Sequence, residues 1–366
     1  MPFAEAVMLE LIRLKGTPYE MGRQHGEQLA AKIRELSDIR FNLATTFAGD
    51  HGVDVSREDC VKLARVHLPL HEEHCPEVVE EWRGIADGAG IPIEDVFFAN
   101  ALTDFQDVLW QCDGVEVHGC TSFLIGPEAS ANGHALIGQT WDMHASAERF
   151  IAVFHRVPNE GPESITLTTA GCLTLIGVNS FGIAVGNNNL RPMDARPGVI
   201  YLALLHLALR QTDWRAAISV MTDLPRASGH NYIMAHESGA RSNIETTGTL
   251  HEELALDAPR YVHSNHYLSE KLQPLEEPGM LRGSTEHRLK RLATRMEDHP
   301  ELLTPESLRS LLADHEGGEE LGICRHGEGE DARSCAFAVV DPAARALHAA
   351  LGPACEATLS EFRIER

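Results

Sequence analysis

The 366-residue sequence is short of positive charge: 31 Lys and Arg stand against 54 Asp and Glu, a formal charge of −23. Such an acidic surface argues against nucleic acid and anionic membranes as partners. No apolar run approaches the length that spans a bilayer. The opening Met1-Pro2-Phe3-Ala4-Glu5-Ala6 has neither the basic start nor the apolar stretch of a secretion signal. The eight cysteines form no Cys-x-x-Cys pair, so most read as reduced and structural, and a cytoplasmic setting is expected. There is no HExxH, no G-x-S-x-G elbow, no P-loop and no GxGxxG opening a βαβ unit. These absences remove the zincin, serine-elbow, nucleotide-triphosphatase and dinucleotide-binding readings. No internal repeat is found at a fixed period.

What is present is a globular chain, 43% apolar, long enough for one large or two medium domains. Residues 17–48 carry Tyr19, Met21, Leu29, Ile33, Leu36 and Leu43 at helical spacing. Ser56 caps a second helical stretch that Pro69 and Pro76 are expected to interrupt. Pro92 opens a further helix through Val96 to Leu109. Residues 1–119 therefore read as mostly helical.

The texture changes at Cys120. Short apolar runs at 120–126 and 134–142 flank Ala131-Asn132-Gly133, a hairpin signal. Strands are expected at 149–157, 164–170, 173–178, 182–187, 231–236, 242–247 and 260–264. Helices are expected at 199–210, 213–222, 284–298 and 305–314. A last hairpin turns at Asp341-Pro342, and 317–320 and 327–331 read as exposed loops. Hairpins beside separate helical blocks predict an α+β fold rather than alternating βαβ units.

Several side chains could carry chemistry. Cys120 follows a glycine at the head of an apolar strand. A cysteine at a newly made chain terminus carries its own base, the α-amine, with a reference pKa near about 7.7–8.0. Taken alone, it reads more readily as a core cysteine. Asp142 ends the next strand and could orient that amine, or be a turn aspartate. Asn265 could donate its amide to an oxyanion, or cap a loop. The run Asn187-Asn188-Asn189 could aim backbone N–H groups at one point, or form an ordinary turn. His67, His71 and His74 with Cys75 offer metal-like spacing on a helix, although Pro69 lies between the first two.

The order of these segments resembles the acyl-coenzyme A:6-aminopenicillanic acid acyltransferase family, the C45 group of N-terminal nucleophile hydrolases. It is more distantly similar to penicillin V acylases and bile salt hydrolases. The resemblance is carried by residues 16–26 (Gly-Thr-Pro-Tyr-Glu-Met-Gly-Arg-Gln-His-Gly), Gly119-Cys120-Thr121-Ser122 and Gln139-Thr140-Trp141-Asp142. It continues through Gly177-Val178-Asn179-Ser180-Phe181-Gly182-Ile183, His263-Ser264-Asn265-His266 and Asp341-Pro342. It implies a four-layer αββα sandwich in one integrated domain. It implies a precursor cut between Gly119 and Cys120 into an α chain (1–119) and a β chain (120–366) that stay together. It matches Cys120 to the nucleophile, Asp142 to the acid near its amine, and Asn265 and Asn189 to the oxyanion donors. Arg288 is the nearest match to an arginine in a later helix. The related acylase branch has an arginine three residues before the aspartate, where this chain has Gln139; that departure favours the acyltransferase branch.

The expected function is therefore amide cleavage or formation through a thioester acyl-enzyme, on a small-molecule amide or acyl-thioester. No metal or organic cofactor is required, and the α/β pair could form a homo-oligomer. Two rivals stand beside it: a metal-dependent hydrolase at His67/His71/His74, and a non-catalytic relative that binds an acylated metabolite.

Overall fold

The structure is a computed structural model that describes residues 9–50, 52–109, 119–278, 282–329 and 331–365. Strand β1 (Leu11–Gly16) precedes helices α1 (Pro18–Asp50), α2 (Arg57–His74), α3 (Pro76–Ala89) and α4 (Ile93–Leu109). Strands β2 (Ser122–Ile125), β3 (Leu136–His144), β4 (Ile151–Pro158), β5 (Ser164–Thr169), β6 (Ile176–Asn179) and β7 (Ile183–Leu190) follow. Helices α5 (Tyr201–Leu209) and α6 (Trp214–Asp223) lead to β8 (Gly229–His236), β9 (Arg241–Thr246), β10 (His251–Glu253) and β11 (Arg260–His263). Helices α7 (Gly283–Glu297), α8 (Pro305–Leu312) and the single turn α9 (Gly318–Leu321) precede β12 (Ala332–Asp341), β13 (Ala346–Leu351) and β14 (Ser360–Arg363).

Two sheets result. One has the order β1-β4-β5-β6-β7-β8-β9-β10 and the other β11-β2-β3-β12-β13-β14. Strand residues alternate between faces, so each sheet has two apolar sides to cover. Leu124, Ile137, Trp141, Ala338 and Val340 of the six-stranded sheet share one core with Ile165, Ile176, Val185 and Ile233 of the eight-stranded sheet. The opposite face of the six-stranded sheet (Phe123, Ile125, Leu136, Phe337, Val339) packs on Leu292 and Met296 of α7 and Leu308 and Leu312 of α8. Helices α1 to α6 join the large core from the other side. The four αββα layers anticipated from the sequence are present.

The helical first segment is locked to the rest. Gly22 and Gly26 of α1 face α3 so closely that a Cβ would lie 2.0 Å from the Glu81 carbonyl oxygen and 2.4 Å from that of Ile85. Gly84 and Gly88 return the contact against Tyr19 and Arg23. Gly22 and Gly26 of the 16–26 motif thus serve backbone-to-backbone helix packing. Arg156 of β4 pairs with Glu81 of α3 at 2.7 Å in full burial.

Before the helices α1 to α4 comes one strand absent from the sequence reading, β1, whose apolar residues Leu11, Ile12 and Leu14 make a run too short to separate from a helix start: it pairs in parallel with β4 from Leu11↔Val153 to Gly16↔Pro158. Three expectations are corrected. Residues 317–320, read as a loop, are exposed but run into the single turn α9 (Gly318–Leu321). Pro69 does not break its helix, which runs unbroken to His74, while Pro76 does start a new one, α3. The Asn132-Gly133 signal marks a longer loop with a 3₁₀ turn at Pro127–Ala129 rather than a tight hairpin. Asn132 donates to Asp341 at 2.7 Å, so the aspartate of the closing motif pins that loop.

Among the described residues, no helix is long and apolar enough to cross a membrane.

Candidate active site

Cys120 and Thr121 extend the leading end of β2. The Thr121 N–H donates to the Thr140 hydroxyl at 3.0 Å, and the Thr140 N–H donates to the Thr121 carbonyl at 2.9 Å. Strand pairing with β3 therefore fixes the cysteine beside Gln139 and Asp142. Asn188 of β7, from the opposite sheet, donates to the Cys120 carbonyl at 2.9 Å. Arg288 of α7 donates to the same oxygen at 3.0 Å and to the Thr121 hydroxyl at 2.9 Å. Three layers thus converge on one peptide carbonyl.

Asn265 follows β11, the neighbour of β2 in the six-stranded sheet. Its Oδ1 accepts from Arg288 at 2.9 Å and its Nδ2 donates to the Asn189 carbonyl at 2.9 Å. Its own N–H donates to the Thr285 hydroxyl at 2.7 Å. The amide lies flat against Gly119: a Cβ there would be 2.4 Å from Asn265 Nδ2. Only glycine fits at that position.

The electrostatics keep the thiol neutral in the continuous chain. Burial and the charge of Asp142 push Cys120 up to about 12, against the opposing pull of the Asp142 N–H, Arg288 and the Gln139 side chain. Burial also raises Asp142 above the usual carboxylate range, while Arg325 and Arg288 pull it back. Ser334 and Thr140 lie beside its carboxyl group. Yet among the described residues no donor forms a well-shaped hydrogen bond to either oxygen. A β-bulge between Ser334 and Ala336, directly opposite Asp142 in β12, aims this corner of the sheet.

A cavity of about 220 Å³ opens over the thiol. Leu43 and Phe47 of α1, Leu102 of α4, Trp141, Leu175 and Tyr201 give it an apolar wall, which suits an acyl chain. Its far side is polar. His230 pairs with Asp104 at 2.7 Å and stacks on Tyr201 at 4.3 Å between ring centres. Arg191 pairs with Glu277 at 2.5 Å and with Asp107 at 3.9 Å. Burial lifts Asp107 to about 7, with the Arg191 charge opposing.

Every acyl-transfer candidate from the sequence meets here: Gly119, Cys120, Asp142, Asn189 and Asn265 line the cavity, and Arg288 stands behind them. Asn188, Arg325, Asp104 and His230 escape sequence reasoning as individuals. Asn188 lies inside the asparagine run, but alternation along β7 decides which of the three faces the cysteine, and the run alone does not give the register. Asp104 and His230 carry no local signal.

The metal site at His67/His71/His74 is not built. His71 Nδ1 faces the His67 carbonyl at 2.9 Å and its Nε2 accepts from the Ile200 N–H at 3.0 Å, so both ring nitrogens are committed to backbone. His67 binds the Leu63 carbonyl and lies among the rings of Phe97 and Phe105.

A buried cysteine after a glycine stands here with a buried carboxylate and an amide donor from neighbouring strands of the six-stranded sheet, a grouping whose chemistry suits acyl transfer. Residues 129–354 match the acyl-coenzyme A:6-aminopenicillanic acid acyl-transferase family, and the chain belongs to it. It is 28% identical over 340 residues to the 40 kDa form of acyl-coenzyme A:6-aminopenicillanic-acid-acyltransferase of Emericella nidulans, covering 90% of this chain and 88% of that one. Among solved structures it is similar to penicillin V acylase from Agrobacterium tumefaciens, at 14% identity and a TM-score of 0.41 over 63% of this chain and 83% of that one. It is also similar to a mutant of the conjugated bile acid hydrolase from Clostridium perfringens, at 7% identity and a TM-score of 0.43 over 67% and 97%.

Proposed function

We propose that this chain is a self-activating N-terminal cysteine enzyme that hydrolyses amides or transfers acyl groups. The observation that carries the reading is the packing of the Gly119–Cys120 junction between the Asn265 amide and the Asp142 carboxylate. In the uncut chain the Cys120 sulfur attacks the Gly119 carbonyl. The peptide C–N bond breaks as the C–S bond forms, and the proton passes from sulfur to the leaving nitrogen. Water then hydrolyses the thioester, releasing a Gly119 carboxylate and restoring the thiol. The new α-ammonium lies next to Asp142, whose oxygens accept no well-shaped hydrogen bond from the described residues.

In the mature form the Cys120 amine takes the thiol proton and sulfur attacks the substrate carbonyl. The second hydrogen of Asn265 Nδ2 and a backbone N–H at Asn189 stabilise the oxyanion, each worth roughly 3–4 kcal/mol in comparable sites. Arg288 holds Asn265 and the Cys120 carbonyl in place. The leaving amine departs with the proton, and water or a second amine attacks the thioester. The apolar wall accepts the acyl chain, and the His230–Asp104 and Arg191 side receives the polar part. An acyl-thioester donor, as in the name of the fungal relative, fits the same cavity. A reducing compartment such as the cytoplasm keeps the thiol usable.

Denaturing intact-mass measurement of freshly purified protein tests this. Two fragments, ending at Gly119 and beginning at Cys120, are expected from the wild type, and one uncut chain from Cys120→Ala. A Cys120→Ala variant that is processed and active would refute the reading.

A further inference from the structure

Outside the Cys120 cavity, four side chains from three separate segments converge: His315 after α8, Cys324 and His326 in the loop before β12, and Cys355 in the turn after β13. Their ligand atoms all lie within 4.8 Å of one another. We propose that they form a structural Cys₂His₂ site for zinc or a similar divalent transition metal.

The distances carry the proposal. Tetrahedral zinc, with bonds of about 2.3 Å to sulfur and about 2.0–2.1 Å to nitrogen, sets ligand-to-ligand edges of about 3.8 Å (S to S), about 3.6 Å (S to N) and about 3.3 Å (N to N). Here Cys324 Sγ and Cys355 Sγ are 3.6 Å apart, and His315 Nε2 and His326 Nε2 are 3.1 Å apart. His326 Nε2 lies 3.8 Å from Cys324 Sγ and 3.3 Å from Cys355 Sγ. These four separations match four of the six edges of one tetrahedron, and the remaining two, from His315 to each cysteine, are within 4.8 Å. Both cysteines are free. The donor set is the soft nitrogen and sulfur set that selects zinc over calcium or magnesium.

The surroundings are those of a ligand set. Glu356 Oε1 stands 3.5 Å from His326 Nδ1, the nitrogen remote from the cluster, where a carboxylate fixes the tautomer of a metal-binding histidine. Backbone bonds hold the segments before any metal arrives: the Cys324 N–H donates to the Asp314 carbonyl at 2.9 Å, and Arg291 and Arg295 grip the Asp314 side chain at 2.9 and 2.7 Å. The Glu356 N–H closes the Cys355 turn on the Pro353 carbonyl at 3.0 Å.

None of the four ligands lines the Cys120 cavity. The metal is a brace, not a reactant. Between two of its ligands sits Arg325, fully buried, whose guanidinium donates to the Ser284 hydroxyl and the Glu320 carbonyl and whose charge bears on Asp142. Clamping residues 324 and 326 fixes that arginine.

The test is elemental analysis of the full chain purified without metal-chelate chromatography, followed by cobalt titration of the metal-free protein. About one zinc per chain is expected, and cobalt should give the ligand-field and thiolate charge-transfer bands of a tetrahedral site. Cys324→Ser and Cys355→Ser should lose the metal and the bands, while Cys120→Ala should keep both. Chelation should lower the melting temperature of the wild type and leave that of Cys324→Ser unchanged. A wild type that takes up neither metal, or no more than the two serine variants, overturns the proposal. So does a Cys324–Cys355 disulfide in the fresh protein. Metal content is read independently of cleavage and activity, so failure of the acyl-transfer reading would leave this result standing.

Discussion

Arg288 Nη2 donates to Asn265 Oδ1 at 2.9 Å, and this bond decides which end of the asparagine does what. A guanidinium can only donate, so the oxygen must face Arg288. The nitrogen must then face the Asn189 carbonyl and Gly119. Asn265→Ala should lower kcat by about 10²–10³ with little change in melting temperature, the usual cost of losing one oxyanion donor. Arg288→Lys should lower it as well, since one ammonium cannot serve Cys120, Thr121 and Asn265 in the geometry of the guanidinium fork. Single-turnover kinetics on any substrate found would decide, and wild-type rates in both variants would sink the assignment.

Gly119→Ala should block cleavage. Its methyl group would enter the space of the Asn265 amide, 2.4 Å from Nδ2. Intact mass should show one uncut chain, with circular dichroism and melting close to Cys120→Ala. Normal processing would mean that the junction is held differently.

Acid should unfold the protein through its buried histidines. Burial drives His71 and His25 down to about 3. Above pH 6.5 both are neutral whether folded or unfolded, and neither affects stability. As pH falls from about 6.5 towards 3, only the unfolded chain takes up their protons. Stability is lost across that window, by at most about 1.4 kcal/mol per pH unit for each group. His71→Gln, which retains a donor and an acceptor for the His67 carbonyl and the Ile200 N–H, should flatten the loss. Urea unfolding at several pH values measures it; identical slopes in both proteins would contradict the assignment.

Two glycine substitutions in α1 should have opposite signs. Gly22→Ala forces a methyl group against the Glu81 carbonyl and should cost about 1–3 kcal/mol. Gly49→Ala has nothing within 4 Å and should gain up to about 1 kcal/mol of helix propensity. Thermal melts of the two variants compare them directly.

Much of this is legible in the sequence because period and punctuation carry it. Amphipathic spacing marks α1, and Gly-Pro signals place α4. Short apolar runs bounded by turn residues mark most strands from β2 onward, and their near-continuous burial in the sandwich explains why they do not alternate. Cys120, Asp142, Asn189 and Asn265 are legible because each stands near a strand end in a motif. What is lost depends on tertiary context. Pro69 sits inside a helix because the neighbours of α2 hold it, and β1 exists only because β4 is there to pair with it. Asp104 and His230 are 126 positions apart and meet only in the folded chain. His315, Cys324, His326 and Cys355 are equally silent, since no regular spacing joins them.

Strand β1 has a consequence for what cleavage can accomplish. It is the edge strand of the eight-stranded sheet, hydrogen-bonded in parallel to β4, while α1, α3 and α4 supply much of the shared core. Breaking one bond at residue 119 leaves all of these contacts in place. The two pieces should therefore migrate together on a sizing column and melt in a single transition. Maturation would turn one amide into a free amine and a carboxylate while leaving the assembly as it was.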